Sequence, residues 1–302
     1  MSISTRLAQL KANDNPSSNG MAALLLAVLL LSIGPSVVRS AESHQLVFVA
    51  WRMVLGAIAY YMFMRLRGKN MSLVALRDGF WGGVAFGTST ALGYSAIANT
   101  SIANAQIIGG LRPVAILVIT GVLLGERVRA ISVMWTLIAI SGISLMVVGA
   151  GNSGTNSLIG DSLAVGSMLS GTIFLFCSRK ARSRQDTMTY STAMTIVAAL
   201  VLMPVAAIAE GSLSPIPVVE DWPRIALMVA LPGVGHVLNN YSIGYVKLHV
   251  VSSVNLLLPV MAALVAWVVV NEALVVAQMI GMAVTVVALF PLVREEQARL
   301  QK

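Results

Sequence analysis

The chain has 302 residues, of which 57% are hydrophobic and only 11% charged. Soluble domains carry about 25% charged residues, so an ordinary water-soluble fold is excluded and a bilayer is the expected solvent. A net charge of +8 invites a nucleic-acid reading, but the basic residues sit in short loops between apolar runs; the lone Cys177 excludes an internal disulfide or a cysteine-based metal cluster.

In chain order, residues 1–19 are polar and rich in serine and asparagine, and are predicted to form a cytoplasmic tail. The apolar run after them has no A-x-A cleavage site close behind, so it reads as an uncleaved first span. A helix crosses a bilayer with about 20 apolar residues. Five such stretches fall at 20–38, 46–64, 79–99, 102–124 and 131–149. Five more fall at 161–177, 188–209, 224–245, 250–270 and 275–293. The third is the weakest, because glycine and threonine dilute it. A Gly/Asn/Ser linker over 151–159 divides a first half, 20–150, from a second, 160–293, and 294–302 form a second tail.

With ten spans, 16 lysines and arginines fall on one side of the membrane, and only Arg39 and Arg224 fall on the other. Such a bias marks the rich side as cytoplasmic, and a miscounted span would scramble it. The expected fold is an all-α polytopic membrane protein with ten transmembrane helices and both termini in the cytoplasm.

The halves repeat. Pro113 and Glu126 are 13 residues apart, as are Pro259 and Glu272, and the two pairs are offset by 146. Each proline lies inside an apolar run, where it removes a backbone donor and distorts the helix. Gly20 matches Gly160, and Arg39-Ser40-Ala41 matches Arg179-Lys180-Ala181, at an offset of 140. Five spans per half is an odd number, so the repeats insert in opposite orientations. Inverted repeats of this kind give alternating access around a site near the midplane.

Several of these residues form patterns of a known family. Gly160-Asp161, Ser170-Gly171-Thr172 and Ser178-Arg179-Lys180 are similar to the "Gly-Asp, apolar run, Ser-Trp-Ala, Ser-Arg-Arg" pattern of the EamA branch of the drug/metabolite transporter superfamily. Pro113 to Gly125-Glu126-Arg127 resembles its "Pro, about a dozen apolar residues, Gly-Glu-Arg". The second copy matches at Pro259 and Glu272, with Asn271 where glycine is usual, and Arg52 falls where the family commonly has an arginine. The resemblance covers all ten spans. It implies a basket of helices around a central cavity and transport of small metabolites, often amino-acid export. Where the family usually has tryptophan in its first and sixth spans, this chain reads Ser32-Ile33-Gly34 and Ser170-Gly171-Thr172. An aromatic lining suited to aromatic amino acids is therefore thin, and the YddG-like amino-acid exporters are the nearest branch.

A charge at mid-span costs about 2.5–3.5 kcal/mol on the insertion scale, so each one needs a reason. Arg112, directly before Pro113, is either a cationic anchor for a substrate carboxylate or structural glue bonded to carbonyls. Arg52 lies about 9 Å into its span and reads as a structural arginine of the outer leaflet, its stem covering apolar surface. His236, Asn239 and Asn240 share one helix face. The 146 offset maps His236 onto Thr90 and Asn240 onto Tyr94, and these paired patches are the expected substrate surface. A packing role fits His236 alone equally well.

Asn255, Ser252 and Gln106 are secondary candidates, and Pro113 and Pro259 are expected to distort and gate their helices. Glu126 and Glu272 lie at helix ends, suited to capping or pairing. No carboxylate sits at mid-depth, so His236 is the one mid-span group that normally titrates near neutrality. The Gly83-xxx-Gly87 and Gly121-xxx-Gly125 pairs suit helix-packing faces.

The absence of H-E-x-x-H, G-x-S-x-G and paired mid-span aspartates argues against an intramembrane enzyme. A channel would show charge rings or filter repeats, and a scaffold has no need of inverted duplicates. The expected function is a secondary transporter of a small molecule, most directly exporting amino acids across a bacterial cytoplasmic membrane. Drugs, organic cations and nucleosides are the alternative cargoes, and Arg112 disfavours a simple cation. No cofactor and no nucleic acid are expected; the lipid bilayer is the partner.

Overall fold

In the computed structural model, which describes residues 16–100, 102–123, 129–149, 157–270 and 274–300, every regular element is helical. The first half contains α1 (Pro16–Leu31), α2 (Gly34–Arg39), α3 (Gln45–Leu66), α4 (Leu73–Asn99), α5 (Ile102–Gly110), α6 (Arg112–Leu123) and α7 (Ala130–Gly149). The second contains α8 (Leu158–Arg182), α9 (Thr187–Glu210), α10 (Trp222–Met228), a π turn (Val229–Gly233), α11 (Val234–Ile243), α12 (Leu248–Val254), α13 (Leu257–Val270) and α14 (Val276–Leu300). Each predicted stretch falls on one of these helices or on a consecutive pair. Among the described residues, 7 segments have the length and hydropathy to cross a membrane, and a shorter apolar helix runs over Asn104–Ile119. The stretches that fall short are the third, fourth and eighth. Glycine, serine and threonine dilute α4, a break at Leu111 interrupts the fourth, and Pro232, His236 and two asparagines lower the eighth.

Local chemistry sets the helix ends. Asp186 caps α9 by accepting from the Met188 and Thr189 amides, and Gly211 closes it with a left-handed φ of 68°. Ser72 and Ser157 cap α4 and α8 in the same way, while Arg179, Lys180 and Arg182 in the last turn of α8 complement its dipole.

Glycine decides the closest packing. Gly79, Gly83 and Gly87 recur every fourth residue on α4 and lie against α9, where a Cβ at Gly83 would come within 2.6 Å of the Met194 carbonyl. The residues that dilute the third stretch are thus those that let it pack closely inside this chain. Gly125 and the glutamates Glu126 and Glu272 lie outside the described residues.

Helix partners follow a two-fold pattern. Numbered as spans, the third packs on the sixth (α4 on α8) and the eighth on the first (α11 on α1), while the second packs on the seventh and the fifth on the tenth. Exchanging each stretch for its mate five places along returns these same four pairs; the third also packs closely on the seventh (α4 on α9), whose mate, the eighth on the second, is a slighter contact. The fifth and tenth run antiparallel, with Gly142 against Thr285, Gly149 against Ala277 and Gly281 against Met146.

Polar clusters tie the loops at each end. At one end Asp221, fully buried, accepts from the amides of Glu42 (3.2 Å) and Ser43 (2.8 Å) and from Arg224 (2.7 Å). At the other, Lys69 pairs with Asp186 at 3.0 Å, Gln185 donates to Asp78 at 2.8 Å, and Arg129 pairs with Glu295 at 2.7 Å.

Burial alone would push the Asp221 carboxyl up, but hydrogen bonds from Ser43, Arg224 and the Glu42 amide outweigh it and hold it at about 2. A carboxylate depressed in the folded state stabilises above its unfolded value, and that contribution is lost as pH falls through the folded one. Thermal unfolding in detergent should therefore show wild type losing stability between about pH 4 and pH 2, and Asp221→Asn, less stable at neutral pH, losing less over that window. A second expectation concerns packing. Gly142→Val would thrust atoms into Thr285, 2.5 Å from the ideal Cβ, and should destabilise by about 1–3 kcal/mol, read as a lower Tm. Gly109→Ala, whose Cβ meets nothing within 4 Å, should leave Tm unchanged or raised.

Candidate functional site

The site begins with the rotation of α3. Trp51 donates its indole N–H to the Pro215 carbonyl at 2.6 Å and sits edge-on to Trp222, ring centroids 5.2 Å apart. With Trp51 held there, Arg52, Gly56 and Tyr60 recur at i, i+4 and i+8 on an inward face. Arg52 is only 8% exposed, so the outer-leaflet arginine expected from sequence is in fact turned into the protein.

Opposite α3 lies the π turn. Pro232 has no N–H to give the ladder, and the widened turn carries it. The neighbouring Gly233 carbonyl takes the Tyr60 hydroxyl at 2.6 Å in a buried hydrogen bond. One turn on, His236 sits edge-on to Phe86, centroids 5.1 Å apart, and Phe86 in turn packs on Phe174 at 5.0 Å. Between these walls lies a narrow cavity lined by Arg52, Tyr60, Phe86, Thr195 and His236, with Met53 and Met194 on its apolar sides. As arranged here it has room for about one water molecule. No carboxylate lines it. Tyr60 and Tyr94 lie within electrostatic reach of Arg52, which makes no hydrogen bond to a described residue.

The two repeated prolines each follow a helix break. α5 ends at Gly110 and α6 starts at Arg112; α12 ends at Val254 and α13 starts at Leu257. At the second break the Asn255 carbonyl, which Pro259 cannot reach as a donor, accepts from Leu258 instead at 3.0 Å. Arg112 lies against α8 at Gly171, where an ideal Cβ would stand 2.6 Å from its guanidinium. Its buried Nε has no partner, and buried oxygens of Ser252, Asn255 and Asn240 are also unsatisfied. Such orphans are rare and mark groups available to something else.

The other predicted residues divide between these places. Asn255 donates to Asn239 at 3.5 Å, which puts both asparagines at the second break. Asn240 does not line the cavity: its side chain donates to Ser191 at 3.1 Å, and its backbone carbonyl accepts from Arg182 at 3.1 Å. Thr90 returns its hydroxyl to the Phe86 carbonyl at 2.8 Å, within its own helix. Tyr94, its neighbour one turn on, approaches Arg52. Gln106 is exposed. Sequence reasoning did not single out Tyr60 and Phe86, which line the cavity with Arg52; the 52-56-60 spacing, with a small residue between two polar ones, was the available sign.

The sequence matches the model of the EamA-like transporter family over residues 18–148 and again over 158–294. The chain belongs to that family. The two matched segments are the two repeats, so the transporter is built from a pair of EamA-like units within the drug/metabolite transporter superfamily. Among curated proteins no sequence matches it. A solved crystal structure, titled only as that of a protein, superposes on the transporter with a TM-score of 0.78 at 18% identity, covering 92% of this chain and 99% of its own. That likeness concerns the fold.

Gly171 offers a clean test of the Arg112 position. Alanine is the better helix former, so Gly171→Ala should leave the transporter's Tm unchanged or higher while its methyl displaces the guanidinium. Transport of the carried solute should fall by about tenfold or more if that head group touches it. Unchanged transport in the folded variant would show that the position of Arg112 is immaterial.

Proposed function

We propose that the transporter is a ten-span secondary carrier with both termini in the cytoplasm that exports carboxylate-bearing metabolites, amino acids foremost, across the cytoplasmic membrane by alternating access. The observation that carries this reading is the Arg112 guanidinium: half-buried, with a buried and orphaned Nε, and with no hydrogen bond to a described residue. Such a cation without a protein counter-ion is suited to a carboxylate, which a planar guanidinium binds through two parallel hydrogen bonds. A cationic cargo would meet repulsion there. Support for the topology comes from the ends of the helices, because the loops carrying Arg65–Arg77 and Arg179–Arg184 meet at one end while Arg224 lies at the other.

Residues 20–150 and 160–293 form the two halves, and the breaks beside Pro113 and Pro259 supply matched points of bending. Irregular backbone is tolerated at membrane depth only where it is buried in protein or lines a cavity, which fits breaks that flank a translocation path. Phe86, Tyr60 and the methionines supply apolar and aromatic surface for the rest of the solute.

Counterflow in liposomes tests the reading. Purified transporter should exchange at least one labelled amino acid, from a panel of neutral and acidic ones, in a saturable way. The rate should fall by about thirtyfold or more in folded Arg112→Ala. Counterflow that survives Arg112→Ala would make this arginine structural, and counterflow of an organic cation or nucleoside alone would overturn the cargo.

A further inference from the structure

Among the described residues, Nε of Arg112, Oγ of Ser252 and Oδ1 of Asn255 are buried without a hydrogen-bond partner, and the fold brings the three together. Arg179, near the end of α8, donates to the Val246 carbonyl at 3.3 Å, so α12 starts beside the end of α8 and runs back along it. From Arg179 back to Gly171 α8 rises about 12 Å, and from Leu248 to Asn255 α12 rises about 10 Å. Gly171 and Asn255 thus come nearly level. Gly171 is where the Arg112 guanidinium rests, 2.6 Å from an ideal Cβ. α6 packs on both α8 and α12, and one turn along from the polar groups Ile116, Phe174 and Val251 share one buried cluster. The two breaks also adjoin, because an ideal Cβ at Gly110 would stand 3.9 Å from Leu256, its own mate at the 146 offset. Arg112, Ser252 and Asn255 therefore form one polar layer between α6, α8 and α12.

The layer has a donor half and an acceptor half. Arg112 can only donate. Asn255 commits its amide nitrogen to the Asn239 oxygen at 3.5 Å, which leaves its own Oδ1 to accept, and Ser252, one turn before it, adds the lone pairs of its hydroxyl. An α-amino acid carries a carboxylate and an ammonium on one carbon, and an ammonium is all donor. No carboxylate lies on α6, α11 or α12, and the one on α8, Asp161, is ten residues from Gly171. Neutral oxygens are then left to hold the ammonium, which suffices while its own carboxylate occupies the neighbouring guanidinium. A bare amine would face Arg112 uncompensated, and a plain carboxylate would leave both oxygens without a donor.

We infer that Ser252 and Asn255 are the ammonium-holding half of the Arg112 site, and that the transporter selects α-amino acids, as zwitterions, over carboxylates that lack the amine. This rests on the reading of the chain as a carrier of carboxylate-bearing metabolites, and it adds the residues that read the amine.

The test pairs amino acids with the same molecules lacking the amine: threonine with β-hydroxybutyrate, leucine with isocaproate, and glutamate with glutarate. Each unlabelled compound competes against counterflow of whichever labelled member exchanges fastest, in liposomes holding full-length wild type, Asn255→Leu or Ser252→Ala. Tm in detergent checks folding. With wild type, half-inhibition should take about tenfold or more of the amine-free partner. That ratio should fall towards one in Asn255→Leu and part of the way in Ser252→Ala, because amino acids weaken while their partners do not. A merely structural role would weaken both alike, so an unchanged ratio in both folded variants would overturn the inference. Amine-free partners that compete with wild type as well as the amino acids do would overturn it too while sparing the carrier reading. This comparison decides even where the variants do not fold. If no member of any pair is exchanged, the carboxylate-carrier reading falls, and the inference with it.

Discussion

An arginine held at membrane depth without an acid is the constraint on which the interior of this transporter depends. Placing such a charge costs several kcal/mol, and a carboxylate partner is the ordinary way to recover part of it. Here the sequence keeps its acids at the ends of the helices and sends two guanidiniums inward. The neighbours accommodate the heads without neutralising them. Gly171 provides space for Arg112, Gly56 leaves room beside Arg52, and Tyr60 and Tyr94 offer polarisable edges nearby. The fold thereby maintains a positive interior, the feature on which the proposed preference for carboxylate-bearing cargo rests.

Backbone irregularity gathers around the same region. Helices in lipid satisfy their own carbonyls, so each interruption must be covered by protein or face a cavity. Among the described residues there are four: the break at Leu111, the break at Asn255–Leu256, the π turn at Val229–Gly233 and the turn at Ser32–Ile33 before Pro35. All are associated with proline, and each has an adjoining polar group. Arg112 follows the first, Asn255 with its orphaned oxygen stands in the second, and Tyr60 covers the Gly233 carbonyl of the third. The third has no mate in the first half, where α4 runs unbroken. The cavity is therefore asymmetric within a repeated frame.

How much of this was legible in the sequence depended on which physical signal was read. Helix positions came from apolar length, and the two repeats from the matching Pro113 and Pro259, because both are local or periodic properties of the chain. The place of Arg52 was not legible, because depth along a span says nothing about rotation around it. That rotation is fixed by Trp51 donating to Pro215, 164 residues away. Asn240 shows the same limit: sharing a face with His236 places it on the expected substrate surface, yet helix periodicity cannot say that Ser191 stands opposite and takes its amide. His236 lines the cavity, and its aromatic neighbours were not legible because Phe86 and Phe174 belong to different halves.

A cavity that admits about one water cannot accept a metabolite unless its walls part, so the contacts that close each end become part of transport. The ends are closed by different means. At the Arg224 end, three donors converge on one buried carboxylate, Asp221, joining the segment around Glu42 and Ser43 to the start of α10. At the Lys69 end, the closure is spread over separate contacts, some exposed and some buried: Lys69 with Asp186, Gln185 with Asp78, Arg129 with Glu295, buried Glu296 accepting from the Lys247 amide, and Arg182 donating to the Asn240 backbone carbonyl. Exposed pairs contribute about 1 kcal/mol or less each and can be exchanged one at a time, whereas a hub loses its bonds together. Opening at the Lys69 end is then a graded process, and opening at the Asp221 end a cooperative one.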